Sequence, residues 1–284
     1  MASVALVTGA SRGAGKGIAR ALAARGYTVY ITGRSLDRTD AAVGGTLAQT
    51  VAEIEAAGGR AIGLGCDHAD DAQVKAVFDR IAADGGQLDI LVNNAAYISA
   101  GLVMDGGFWE KPLDLADLIT VGLRSHYVAS YHAAPLMIAK GRGLIVNTGF
   151  YGAVSYFHGP AYGAQKAGAD KMAADMAKDL RPHGVAAVSI WMGILRTERT
   201  MAYLDTMPED QRAAGLARME TPDYTGLLID ALYADPQLMR ISGQALIGAE
   251  LGASYGLKDL DGSTPPSFRE EMGGPPQLHP SLLA

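Results

Sequence analysis

The sequence predicts an α/β fold: a single Rossmann-like domain whose doubly wound parallel sheet of about seven strands carries helices on both faces. Three observations predict it. Short β-branched runs recur along the chain, Ala-rich segments of helical composition separate them, and a glycine-rich turn joins the first run to the first helix. The runs lie at 4–8, 28–32, 61–66, 88–93, 143–147, 186–191 and 245–249. Between them, 16–25, 45–58, 70–84, 113–139, 162–181 and 223–233 read as crossover helices, with Gly26 and Gly184 ending two of them. The domain is expected over residues 1–272. The stretch 273–284, opening Gly273-Gly274-Pro275-Pro276, lacks periodicity and reads as an irregular tail, either disordered or laid over a neighbouring subunit.

With 284 residues, 49% hydrophobic content and 36 glycines, the chain can bury the core of one such domain. A net charge of −6 leaves no basic stripe for nucleic acid or an anionic membrane surface, so a small molecule is the expected partner. The single cysteine, Cys66, excludes an intrachain disulfide and suits a reducing compartment. The apolar segment Val4-Ala5-Leu6-Val7 is too short for a signal sequence, and no run approaches the roughly 18 apolar residues of a membrane span. A cytoplasmic protein is expected.

The turn after the first strand reads Thr8-Gly9-Ala10-Ser11-Arg12-Gly13-Ala14-Gly15 and opens directly into a helix. Gly9, Gly13 and Gly15 let the backbone turn tightly and approach a pyrophosphate, whose charge suits the free N–H groups and dipole of a helix N-terminus. At the end of the second strand, where an NAD site places a carboxylate, stand Gly33, Arg34 and Ser35. With no acid to repel a 2′-phosphate, and with Ser11, Arg12 and Arg34 close to it, NADP(H) is the expected cofactor.

The chain resembles the short-chain dehydrogenase/reductase family from this turn to about Gly262. Asp67, followed by His68, looks like the contact to adenine. Asn93-Asn94-Ala95-Ala96 is similar to the family's N-N-A-G segment, with Ala96 in place of glycine. Tyr162-x-x-x-Lys166 matches the catalytic pair. Met192-Gly193 stands where Pro-Gly is usual, and Thr197 looks like the nicotinamide-carboxamide contact. Gly122 to Tyr127 and Tyr255 to Gly262 resemble the subgroup around mammalian dehydrogenase/reductase family member one. The resemblance implies reduction of lipophilic carbonyl compounds by a homo-oligomer, dimer or tetramer, and small Ala167 and Ala174 on the catalytic helix would allow close packing.

Tyr162 and Lys166, four apart on a helix, share a face, so an ammonium stands near a phenol and favours its use as acid or base. The resemblance implies that Tyr162 protonates the carbonyl oxygen and that Lys166 also holds the nicotinamide ribose. The family's serine is missing: Gly149 or Phe150 occupies its place. Loss of one oxyanion donor costs about 10²–10³ in rate. Tyr151 is the first candidate to replace it, with Thr148 and Ser155 as alternatives. The family's asparagine aligns with Gly122, which keeps a main-chain carbonyl at a helix kink, and His126 lies one turn on.

Tyr97, Met104, Phe108, Trp109, Tyr151, Tyr156, Phe157, His158, Met201, Tyr203, Leu204 and Met207 are expected around the nicotinamide. This apolar, adaptable lining suits hydrophobic substrates. Two alternatives remain: a reductase of imines or activated C=C bonds, for which the missing serine matters less, and a dinucleotide-binding sensor whose catalytic machinery has decayed.

Overall fold

The computed structural model describes residues 2–38 and 44–282. β1 (Val4–Val7) passes through the glycine turn into α1 (Gly13–Ala24). The alternation continues with β2 (Thr28–Gly33), α2 (Leu47–Ala56), β3 (Arg60–Gly65), α3 (Asp71–Asp84) and β4 (Ile90–Asn93). After short turns and α4 (Asp117–Ile119) come α5 (Ser125–Lys140), β5 (Gly143–Gly149), α6 (Pro160–Leu180) and β6 (Val185–Trp191). A two-residue pair, β7 (Ile194–Leu195) and β8 (Met219–Glu220), brackets α7 (Glu198–Leu204) and α8 (Glu209–Leu216). Then follow α9 (Tyr224–Ala234), α10 (Leu238–Ile241), β9 (Ala245–Ile247), α11 (Gly248–Ser254) and α12 (Arg269–Met272).

The seven main strands form one sheet in the order β3-β2-β1-β4-β5-β6-β9, parallel at every step. Alternating side chains send Val7, Ile31, Val92 and Val188 to one face, against Ile18 and Leu228 of α1 and α9. Leu6, Tyr30, Leu91 and Ile145 go to the other, against Phe78, Met137 and Ala177 of α3, α5 and α6. Covering both faces is what lets β2, β4, β5 and β6 be buried along their whole length. The strand order reverses between β1 and β4, which makes the crevice beyond their carboxyl ends the topological switch point, where ligands of such sheets sit.

One predicted helix, 113–139, is divided. Val121 and Gly122 leave the helical region, Gly122 at φ +143°, so a π turn at Thr120–Arg124 separates α4 from α5. A positive φ of that size is open to glycine and costly for other residues, so the break lies where glycine permits it. The described part of the expected tail lies over its own chain: Lys178 of α6 donates to the Ser281 carbonyl at 2.6 Å, and residues 283–284 fall outside the described residues. Ala174 is fully buried inside the chain, which removes it from any subunit contact, whereas Ala167 is exposed. Among the described residues no helix is long and apolar enough to cross a membrane.

Candidate active site

The glycine turn is built by close approach. A Cβ on Gly9, whose φ is +67°, would stand 2.7 Å from the Ala95 Cα, and one on Gly15 would stand 2.3 Å from the Gly9 carbonyl and 2.5 Å from the Asn94 amide nitrogen. Only glycine fits at either place. Asn94 donates from Nδ2 to the carbonyls of Thr8 and Gly9, and the Asn94 and Ala95 amides donate to Thr8 Oγ1. The ends of β1 and β4 are thereby held together. Asn93 ties the next strand in, donating to Asn147 Oδ1 and Ser130 Oγ.

At the outer end of the crevice Arg12 donates from Nη2 to Ser35 Oγ and to the Gly45 carbonyl, each at 3.2 Å. The arginine before α1 is thus drawn to the end of β2, beside exposed Arg34. Ser11 lies against Gly33, 3.8 Å from the position of a Cβ there. Asp67, half-buried after β3, accepts from the Ala69 amide. His68 is buried beneath it with Nε2 2.8 Å from Thr32 Oγ1, and burial lowers its imidazole to about 4, so it is neutral. It supports the strand ends from within.

The segment after β6 closes the other end. The Gly193 amide donates to Glu220 Oε1 at 3.1 Å. Thr197 caps α7, accepting from the Thr200 amide, and its methyl would lie 3.6 Å from a Cβ on Gly13. Burial pushes the Glu220 carboxyl up to about 8, so β8 places a neutral acid directly under Gly193. Nothing local in the sequence pointed to Glu220, because the two-residue pairing that brings it there joins segments 25 positions apart.

Tyr162 and Lys166 lie on the first turns of α6, with Lys166 Nζ 5.6 Å from the Tyr162 ring centre. Lys166 is only 6% exposed and donates to the Thr148 carbonyl at 3.0 Å. Burial lowers its ammonium to about 8, partly opposed by Asp170, which leaves it charged at neutral pH. Burial raises the Tyr162 phenol above its ordinary value. Asp170, one turn past Lys166, accepts from Trp191 Nε1 at 2.9 Å, and burial raises it to about 6. Its i,i+4 spacing from Lys166 is readable in the sequence, but the Trp191 contact that buries it is not.

The Tyr162 ring is walled by aromatics. Phe150, one of the two positions aligned with the family's serine, stands 6.4 Å from it between ring centres, Phe157 at 6.1 Å and His158 at 5.2 Å. His158 holds φ +59°, the one positive φ outside glycine among the described residues, and such strain concentrates at functional sites.

The kink expected at Gly122 is present, and its carbonyl accepts from Gln165 Nε2 at 3.0 Å. A Cβ on Gly122 would meet the Gln165 side chain at 3.1–3.2 Å, so the glutamine amide fills the space that an asparagine here would need. Gln165 is a second residue missed by sequence reasoning. His126 is turned to structure: Nε2 donates to the Ala95 carbonyl at 3.2 Å, and burial with the Lys166 charge holds the ring down at about 3.

Tyr151 does not take the place of the missing serine. It is 1% exposed, packed edge-on against Trp191 and Phe268, and its oxygen accepts from the Phe268 amide at 3.0 Å. A ring so held anchors the C-terminal segment. The other hydroxyls are engaged as well, Thr148 with the Asn93 carbonyl and Ser155 with the Tyr151 carbonyl. Tyr151→Phe is therefore expected to leave turnover within a few-fold of the parent and to lower stability by about 1 kcal/mol, the cost of one buried hydrogen bond, measured by denaturant unfolding.

Of the expected pocket lining, Met104, Phe108, Trp109, Tyr156 and Tyr203 are exposed, Phe157 and Met201 are half-buried, and Leu204 is buried. Tyr97 is tied by its hydroxyl to Asp114 at 2.7 Å.

A family model described as short chain dehydrogenase matches residues 3–208. The chain is 40% identical over 269 residues to mouse Dehydrogenase/reductase SDR family member 1, covering 91% of this chain and 83% of that protein. Its fold matches an actinorhodin polyketide ketoreductase with NADPH at TM-score 0.75 and 23% identity, over 87% of this chain and 95% of the other. A structure described as an NAD(P)-dependent gluconate 5-dehydrogenase of Beutenbergia cavernae, with NADP at low occupancy, matches at TM-score 0.70 and 27% identity, over 87% and 94%. With the glycine turn, the Asn94 tie and the Tyr162–Lys166 pair at one end of a seven-stranded parallel sheet, the chain belongs to the short-chain dehydrogenase/reductase family of oxidoreductases.

Proposed function

We propose that the protein is an NADP(H)-dependent oxidoreductase that moves hydride between nicotinamide and a lipophilic carbonyl or alcohol, with Tyr162 as its acid or base. The observation that carries this is the buried Lys166 ammonium beside the Tyr162 ring, at the carboxyl end of the sheet that also bears the glycine cradle. The residues present fit a dinucleotide. The space beside Gly9 and Gly15 admits no side chain, the first amide of α1 faces an anion, and Arg12 is drawn to Ser35, where a 2′-phosphate would lie. Gly9, Ser11, Gly13 and Gly15 would hold the pyrophosphate; Arg12, Arg34 and Ser35 the 2′-phosphate; Asp67 and His68 the adenine side; Asn94, Ala95, Gly193 and Thr197 the nicotinamide half.

Bound there, the reduced nicotinamide supplies the hydride. Tyr162 gives its proton to the substrate oxygen, a role suited to a phenol that burial keeps protonated. Lys166, charged at neutral pH, stabilises the phenolate left behind and reaches the ribose. Phe150, Phe157 and His158 exclude water from the Tyr162 ring and select apolar substrates. The lack of a hydroxyl at both Gly149 and Phe150, with the Phe150 ring facing Tyr162, also supports a second reading, reduction of imines or activated C=C bonds. The same proposal includes a cytoplasmic homo-oligomer, with exposed Tyr127 and Tyr131 of α5 available to a second copy.

Calorimetric titration tests the cofactor assignment. NADPH is expected to bind the parent at least about tenfold more tightly than NADH, the scale of one charge-assisted contact, and Arg34→Asp to reverse the order. Equal affinities in the parent would remove the NADP(H) assignment.

A further inference from the structure

Glu198, the first residue of α7, reaches across the crevice, and its Oε2 accepts from the Gly13 amide at 2.9 Å. Gly13 is the first residue of α1, a helix of 12 residues with no acidic residue in its first turn and no side-chain cap. Its N–H groups are the free donors that a helix N-terminus offers an anion, and they head the turn built of Gly9 and Gly15. A carboxylate already satisfies the first of them. Glu198 also stands near Arg12: burial holds that guanidinium below its ordinary value, and the Glu198 charge offsets part of the shift.

We propose that Glu198 is an internal competitor for the cofactor's pyrophosphate, a residue that sets dinucleotide affinity by occupying the amide the pyrophosphate would use. This rests on the dinucleotide reading above. A pyrophosphate and a carboxylate cannot share one N–H at the head of one helix, and their like charges repel, so cofactor entry requires Glu198 to leave. Its departure releases the hydrogen bond that ties α7 to the glycine turn, and α7 carries Met201, Tyr203 and Leu204 of the expected substrate lining.

The magnitude follows from the contact displaced. A carboxylate at an exposed helix N-terminus favours its own state by an amount equal to about 2- to 5-fold in an equilibrium constant, and affinity for a competing ligand falls by the same factor.

The test is calorimetric titration of NADPH and of 2′-AMP, which has no pyrophosphate, into the parent, Glu198→Gln and Glu198→Ala. Both variants are expected to bind NADPH about 2- to 5-fold more tightly than the parent, with 2′-AMP affinity unchanged. Unchanged or weaker NADPH binding in variants whose thermal unfolding matches the parent overturns the inference. An equal gain for 2′-AMP also overturns it, since the effect would then lie at the adenosine end. Failure of parent and variants alike to bind NADPH or NADH overturns the dinucleotide reading itself, and this inference with it.

Discussion

Tyr162→Phe is expected to lower turnover on any substrate the protein reduces by about 10³-fold, within the range contributed by a positioned general acid, while NADPH affinity stays within about twofold. The change removes one oxygen and keeps the ring that packs against Phe157 and His158, so the site keeps its shape. The size of the effect follows from what else could donate the proton. Phe150 has no hydroxyl, Thr148 and Ser155 donate theirs to the Asn93 and Tyr151 carbonyls, and the Tyr151 oxygen is buried against the Phe268 amide, from which it accepts. Steady-state kinetics with calorimetry checks both halves. Turnover within a few-fold of the parent would take the phenol out of the mechanism.

The second large effect is expected at Lys166. Lys166→Met keeps most of the stem and deletes the charge, and it should lower turnover by about 10²-fold or more and weaken NADPH binding, because one ammonium serves both the phenol and the ribose. Burial lowers the folded-state Lys166 to about 8, below its unfolded value. The ammonium is therefore lost as pH rises through about 8, and parent activity in the reductive direction should fall there. The same shift means that the charged form opposes folding and that stability increases as pH rises from about 8 towards the unfolded value. Lys166→Met should accordingly unfold at the same temperature as the parent or higher, near neutral pH. A variant that lost activity by unfolding earlier would show the side chain to be structural.

How much of this was legible depended on whether the cause was local. The runs around Leu6, Ile31, Val92 and Val146 announced buried parallel strands because both faces of each are apolar, and all became neighbours in one sheet. The glycine turn and the Tyr162–Lys166 spacing were readable for the same reason: their chemistry is set within seven residues of chain. The break in 113–139 was half visible, since Gly122 marked a kink, but the Ala-poor stretch before it carried no period to show a separate π turn. Glu220 under Gly193, Gln165 against Gly122 and Glu198 on Gly13 are contacts between distant segments, where composition carries no signal. Tyr151 shows the converse error. Its place in the loop expected to border the nicotinamide suggested a catalytic task, but the aromatic cluster with Trp191 and Phe268 turns its hydroxyl to the C-terminal segment.

The central claim is hydride transfer from a bound nicotinamide with Tyr162 as proton donor, and isotope transfer tests it most directly. A panel of lipophilic ketones, quinones and imines is incubated with the protein and NADPH carrying deuterium on both C4 positions, and products are analysed by mass spectrometry. The account predicts a product one deuterium heavier from at least one member, formed by the parent and nearly absent with Tyr162→Phe. NADPH binding without deuterium in any product, or equal incorporation by parent and Tyr162→Phe, would contradict it.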